Sequence, residues 1–243
     1  MALILCFAAG AVDAVGYLFL DHILLANMSG NTLEVAVNAT RQDWSTALRH
    51  LWPIVMFVLG LVLSGLLHEL GKRRGLPSLR IALLGESVLL LALWGLGGLV
   101  FSGGRRAEGF AHYVLTGLGA AAMGLQNASL THVGPLTVYT THITGTLTKF
   151  GASLVEAISW IMTARRQQPR PRWHELLRRG SRKKQGFGVL LMGGLWLCFL
   201  SGGIAGALAW LRWGLGAVGV PLLLVLAVAI YDGYHPLQER ERS

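Results

Sequence analysis

Two short stretches decide how this chain is read: Asn27-Met28-Ser29-Gly30-Asn31-Thr32 and His142-Ile143-Thr144-Gly145-Thr146-Leu147-Thr148. Each runs hydroxyl, glycine, short polar residue, and each opens a new apolar stretch. The first follows the apolar run around Gly10-Ala11-Val12-Asp13-Ala14. The second follows Met123-Gly124-Leu125-Gln126-Asn127-Ala128. Both therefore come just after a long apolar segment that carries a polar residue. Paired breaks at corresponding places in two halves of a membrane chain are the best sequence pointer to a transport site.

Composition agrees with a membrane chain. Of the 243 residues, 53% are hydrophobic and 14% charged, where a soluble domain carries about a quarter charged. Uncharged runs long enough for a ~30 Å hydrocarbon layer recur. The expectation is an all-α, multi-pass membrane protein. The net charge of +9 fits Lys and Arg collected in cytoplasmic loops. It is not read as nucleic-acid binding, because no aromatic-basic groove or nucleic-acid motif accompanies it. Cys6 and Cys198 both lie in apolar segments, with neither metal-ligand spacing nor a disulfide framework. Met1 leads straight into an apolar run without a basic n-region or clean cleavage site. The first segment is thus expected to stay in the membrane.

Along the chain, Ala2 to Leu20 reads as a span interrupted by Asp13. Asp21 to Asn31 is irregular, Thr32 to Asn38 apolar but short, and Ala39 to His50 polar and amphipathic. Leu51 to Leu70 and Ile81 to Phe101 span, the latter with Glu86 inside, and the basic loop Lys72-Arg73-Arg74 lies between them. The Ser102 to Gly109 turn divides the halves. Phe110 to Leu130 then spans, Thr131 to His142 is irregular with the breaker Gly134-Pro135, and Ile143 to Met162 is apolar with Glu156 inside. Ala164 to Lys184 is strongly basic. Gly186 to Trp210 and Gly214 to Tyr231 span, and a charged tail begins at His235.

The order span, break, short apolar piece, span, span thus occurs twice. Residues 1–103 are expected to form a first membrane repeat. Residues 110–234 form a second, with a basic cytoplasmic loop at 164–185. If both basic loops are cytoplasmic, corresponding loops face opposite sides and the repeats are inverted. With re-entrant breaks, about six full spans result and both termini are cytoplasmic. If the broken segments cross fully, the number of spans rises.

Irregular backbone at membrane depth must line protein or a wet cavity. Ser29, Asn31, Thr144 and Thr146 are residue types that cap helix N-termini. Helices starting there would aim N–H groups and a positive dipole end inward, a ready site for an anion or polar solute. Gly30 and Gly145 permit close approach to a solute. Ordinary capping of membrane helices is the simpler alternative.

Asp13 is the sharpest single residue. An ionisable group mid-span costs at least ~2.5–3.5 kcal/mol on insertion scales. It can couple protons, bind a cation, orient the motif hydroxyls, or sit neutral and hydrogen-bonded in a packing role. Its counterpart is Gln126 or Asn127, neither of which titrates. Glu86 is expected to snorkel to the cytoplasmic interface. Glu34 and Glu156 are expected in the cavity or at the interface. His132 and His142 flank the second break and titrate near neutral pH when unperturbed. Gly95-Leu96-Gly97-Gly98, Gly193-Gly194 and Gly202-Gly203 are read as close helix contacts. No catalytic constellation, metal set or cofactor loop stands out, so neither an enzyme nor a cofactor is expected.

At Ala9-Gly10-Ala11-Val12-Asp13-Ala14-Val15-Gly16-Tyr17, Asn27-Met28-Ser29-Gly30-Asn31, Met123-Gly124-Leu125-Gln126-Asn127-Ala128 and Thr140 to Thr148, the chain resembles the YoaK family of bacterial membrane proteins. The resemblance runs over most of the chain. It implies an inner-membrane protein of about six to seven transmembrane helices and supplies no substrate. Ser29 stands where Thr is commoner, and the basic stretch from Arg165 to Lys184 is longer than usual.

The functional expectation is a transporter or channel for a small polar or anionic solute, with proton coupling through Asp13 as one mode. Asp13, Ser29, Gly30, Asn31 and Thr32 bound the path from one half, and Gln126, Asn127, Thr144, Gly145 and Thr146 from the other. Expected partners are the solute, the bilayer, anionic lipid at the 164–185 loop and a second copy of the chain. The alternative is a scaffold, sensor or regulatory subunit without transport.

Overall fold

The computed structural model of the chain describes residues 1–74, 77–101, 109–131, 141–167 and 184–234. All the described secondary structure is helical: α1 (Ala2–Phe19), α2 (Met28–Thr40), α3 (Trp44–Arg74), α4 (Ser78–Phe101), α5 (Gly109–Thr131), α6 (Ile143–Gln167), α7 (Lys184–Trp213), a 3-10 turn (Gly214–Val218) and α8 (Gly219–Tyr234). Among the described residues, four stretches are long and apolar enough to cross a membrane: Ala2–Phe19, Trp44–Arg74, Leu79–Val100 and Phe187–Tyr234. The last holds α7 and α8 joined through the 3-10 turn. The expected all-α membrane class therefore stands.

Two compact units make up the chain, Met1–Thr141 with Cys198–Ser243, and His142–Leu197. In the first, α1 ends where Asp21 and His22 take left-handed backbone, φ 56° and 65°, which a right-handed helix cannot continue. The chain then doubles back along α1. By Ala26 it has returned to the depth of Asp13, whose Oδ1 accepts the Ala26 N–H at 2.7 Å. There α2 begins. At 13 residues it is about 20 Å long, short of the ~30 Å hydrocarbon layer. A second reversal at Arg41–Asp43, with Gln42 at φ 60°, starts α3. Asp43 caps α3, accepting the Thr46 N–H at 3.1 Å and its hydroxyl at 2.7 Å.

The sequence placed the polar stretch Ala39 to His50 outside the span beginning at Leu51. In the structure α2 already starts at Met28, and α3 takes in everything from Trp44. Local polarity does not end a helix whose other face is packed: Ala47 and His50 are buried on α3.

Close crossings set the directions of the long helices. Beside α5, α3 runs parallel: the Trp52 indole donates to the Tyr113 carbonyl at 2.7 Å, and Ser64 meets Ser129 at 3.1 Å farther along. Their closest approach needs glycine, since a Cβ on Gly60 would strike the Ala121 carbonyl and one on Gly124 the Phe57 carbonyl. The same arrangement joins α1 and α7, also parallel. A Cβ on Gly10 would strike the Phe199 carbonyl, and one on Gly202 the Phe7 carbonyl. Small residues of this kind let backbones touch where lipid offers no hydrophobic drive. By contrast α1 and α5 run antiparallel, with the Gln126 amide donating to the Leu5 carbonyl at 2.9 Å. Buried Leu25 wedges between Gly16 and Gly119 at the other end. Antiparallel packing also joins α4 and α8, where Arg80 lies over Gly233 and Leu215 meets Gly97.

Glu86 does not snorkel. It is fully buried on α4, eight residues beyond Ser78 and next to Gly85, which faces Leu125 of α5. Its depth and the neighbouring helix leave the side chain no route to an interface.

In the second unit, α6 runs antiparallel to the first part of α7. Gly188 packs on Ser153 and Gly193 on the Phe150 ring. Glu156 is exposed, as is Glu34 on α2.

Candidate functional site

The site is built where α1, the returning loop and α7 meet. Asp13 is 4% exposed. Its Oδ1 accepts the Ala26 N–H at 2.7 Å and its Oδ2 the Asn27 side-chain amide at 2.6 Å. Both distances are those of charge-assisted hydrogen bonds. Asn27 precedes the first turn of α2 without capping it, because its amide is turned to Asp13 instead. The carboxylate thus fixes the helix start rather than a motif hydroxyl doing so.

Asn31, one turn into α2, is also buried. It donates to the Leu24 carbonyl at 2.6 Å, accepts the Leu24 N–H at 3.2 Å, and lies 3.3 Å from Nδ1 of His50 on α3. One side chain therefore supplies both backbone partners that Leu24 would have in a strand pair. This is loop closure, and it occupies the polar groups that the sequence assigned to a solute.

Beside Asp13 lies a cleft of about 380 Å³. It exists because Gly10 and Ala14 on α1 and Gly203 and Ala207 on α7 are small residues four apart on facing stripes. Tyr17, one turn beyond Asp13, stands at its mouth, with Leu24, Asn27 and Phe199 in the walls. The His22 ring meets Tyr17 edge-on at 4.7 Å. Asp21 lies 3.9 Å from His22 and 3.7 Å from Arg49 of α3.

The second motif has the same plan. Asn127 stands three residues after Gly124, as Asp13 stands three after Gly10, and both glycines sit beneath a phenylalanine carbonyl. Asn127 Oδ1 faces the Thr141 N–H at 3.5 Å, and α6 begins two residues later at Ile143, as α2 begins two after Ala26. The contact is longer than the 2.7 Å of Asp13 and lies outside the ~2.7–3.2 Å of a well-formed N–H···O bond. Asn127, rather than Gln126, thus stands to Gly124 as Asp13 stands to Gly10.

The remaining candidates divide by burial. Thr146 is buried and bonds back to the His142 carbonyl at 3.0 Å. Ser29, Thr32 and Thr144 are exposed, and Thr32 bonds back to Met28 at 2.8 Å. Gly30 and Gly145 lie inside α2 and α6 rather than in tight turns, and a Cβ would meet the Leu24 side chain in one case and the His142 ring, at 2.6 Å, in the other. Asn27, Tyr17 and Leu24 were not among the sequence candidates. Tyr17 was findable, since four residues from Asp13 on a helix is the same face. His132, Gly134-Pro135, Thr140, the Ser102 to Gly109 turn up to residue 108, the core of the basic stretch at 168–183 and the tail from His235 lie outside the described residues. Among the described residues no group of three or more His, Cys, Asp or Glu is placed to hold a metal.

Residues 1–231 match the family described as protein of unknown function, DUF1275. The chain belongs to the DUF1275 family. This DUF1275 chain is also 28% identical over 166 residues to the UPF0700 transmembrane protein YoaK of Bacillus subtilis (strain 168), covering 68% of this chain and 69% of that protein. No solved structure matches it significantly. The resemblance to the YoaK family read from Asp13, Asn27 to Asn31 and Gln126-Asn127 is thereby established, and with it a transmembrane protein.

Proposed function

We propose that this DUF1275 protein is an inner-membrane transporter or channel for a small polar solute, built from two inverted repeats with a re-entrant segment in each. The observation that carries the reading is the buried Asp13 beside a cleft of about 380 Å³, at the level to which the chain has returned by Ala26. That volume lies in the range of small-molecule sites, roughly 300–1,000 Å³. An intramembrane carboxylate at such a place marks a pathway by default.

Several features support the inverted repeat. The Gly10–Phe199 and Gly124–Phe57 crossings match, α1 and α5 point in opposite directions, and Asp13 and Asn127 each face a backbone N–H, of Ala26 and Thr141. Repeats 1–103 and 110–234 then rock against each other about the site. The site residues of the first half narrow to Asp13, with Asn27 added and Asn31 as its brace. Asn127 is the counterpart of Asp13 in the second half. A carboxylate in the wall disfavours the anionic solutes that the helix N-termini alone suggested. The basic ends of α3, Lys72 to Arg74, lie on the side where Met1 begins α1, so both termini are assigned to the cytoplasm. Anionic lipid is assigned to the 164–185 loop, and homodimerisation to outward small-residue faces. No catalytic role is assigned to any residue.

The test is flux in proteoliposomes together with thermal stability against amino acids, nucleobases, small anions and cations at two pH values. Wild type is expected to bind and move one class, and Asp13→Asn to abolish pH-dependent flux while remaining folded. Full pH-dependent flux in Asp13→Asn refutes the role. No flux for any class, with a pull-down partner that depends on the basic loop, favours the scaffold reading.

A further inference from the structure

The cleft holds a combination not used so far. Asp13 accepts hydrogen bonds on both oxygens from N–H donors, as an ionised carboxylate does. Among the described residues no Lys, Arg or His forms an ion pair with it. A buried charge is costly unless it is paired, and neutral N–H donors do not cancel it. The backbone N–H groups of Leu25 and Asn27 face the same carboxylate, and none of these donors carries a charge. Tyr17, one turn from Asp13, and Phe199 on the opposite helix also line the cleft. The remaining wall is apolar, from Ala14, Leu24 and Ala207.

We propose that this cleft binds a small organic cation, an ammonium or guanidinium attached to an apolar body. The cation supplies the charge that Asp13 lacks, the Tyr17 ring attracts it, and the apolar body fills the space left by the small residues of α1 and α7. Asn27 sets the carboxylate's orientation, so it is a positioning residue for the same contact. The inference rests on the cleft being the solute site of the transporter reading, and it commits that site to positive charge.

The experiment uses the full chain in phosphatidylglycerol nanodiscs, so that bulk lipid supplies no ammonium. Its probes are benzylammonium, benzyl alcohol and benzoate, which share one ring and differ in charge. Benzylammonium alone is expected to raise the unfolding midpoint, by about 5 °C at hundredfold excess over Kd. Asp13→Asn is expected to weaken that binding about 30-fold or more. Because Asp13→Asn can perturb the α2 start, Ala207→Leu serves as the second variant. It fills the cleft while leaving the Ala26 and Asn27 contacts of the carboxylate in place, and it is expected to lose the benzylammonium response.

Equal stabilisation by benzyl alcohol or benzoate, or a benzylammonium response that survives in both variants, overturns the proposal. So does no response to any probe. A parallel arm adds phosphatidylethanolamine. Stabilisation by that lipid, competed by benzylammonium and lost in Ala207→Leu, keeps the cation site and makes an aminolipid headgroup its source. Flux separates this inference from the transporter reading. Flux of neutral or anionic solutes without cation binding sinks the cation site alone. Cation binding lost in both variants, without flux of any solute, sinks transport alone.

Discussion

Gly10 of α1 lies directly beneath the carbonyl oxygen of Phe199 on α7, and no side chain fits between them. Gly124 of α5 stands in the same relation to Phe57 of α3. Asp13 and Asn127 each follow the glycine of a crossing by less than one helical turn, and each faces a returning backbone N–H, of Ala26 and of Thr141.

Alanine at Gly10 or Gly124 is therefore expected to destabilise the protein by about 1–3 kcal/mol or more, since the obstructing atom is backbone and cannot rotate away. Gly95 on α4 has nothing within 4 Å of an added Cβ. Gly95→Ala is expected to be neutral or stabilising by about 0.5–1 kcal/mol, through helix propensity. Thermal unfolding of the three variants in one detergent checks the contrast.

Asn31→Ala removes both polar partners of the Leu24 backbone. Each buried group left unpaired costs about 1–3 kcal/mol. The expected outcome is a loosened return loop, seen as faster amide hydrogen exchange over residues 21–27 with α5 unaffected. Unchanged exchange there would show that the loop is held by Asp13 alone. Asn31→Asp is expected to fare little better, because a carboxylate cannot donate to the Leu24 carbonyl.

Asp43 caps α3 from outside the span. The Thr46 hydroxyl and N–H hold its carboxyl below the usual aspartate range. A lowered folded-state value means that the ionised cap stabilises the fold fully above the unfolded value, ~3.9. That contribution fades as pH falls through the lowered folded value. Wild type is expected to lose stability relative to Asp43→Asn only in that acid window, with parallel curves from pH 5 to 7. A gap that changes near neutrality would assign the effect to another group.

Neither carboxyl oxygen of Glu86 has a hydrogen-bond partner among the described residues, and the side chain is fully buried. Glu86→Met keeps the volume and removes the unsatisfied group. It is expected to raise stability by about 1–3 kcal/mol. A drop in thermal midpoint would show that the carboxyl makes a contact the fold depends on.

Much of this was legible from residue order. Apolar runs longer than a bilayer is thick, the Asp13 interruption, and the breaks near Asn27 and His142 all follow from local composition; the caps expected at Ser29, Asn31, Thr144 and Thr146 lie inside α2 and α6 instead. The choice between Gln126 and Asn127 was not local. It depends on which of two adjacent residues shares a face with Gly124, and on Thr141 returning to that depth. The Glu86 expectation failed for a related reason: snorkelling is judged from distance to a helix end, whereas burial depends on what packs alongside.

What the sequence by itself determined is the class of protein, a helical membrane chain with two matching breaks, because insertion into lipid is governed by the hydropathy of contiguous residues. What only the tertiary structure decided is the use of each polar group. Asn31 closes a loop, Ser29 and Thr32 face outward, and Asp13 borders a cleft shaped by Gly203 and Ala207 from the far end of the chain. Contacts between residues nearly two hundred positions apart leave no periodic trace in sequence. They arise when two helices approach closely enough for their missing side chains to define a space.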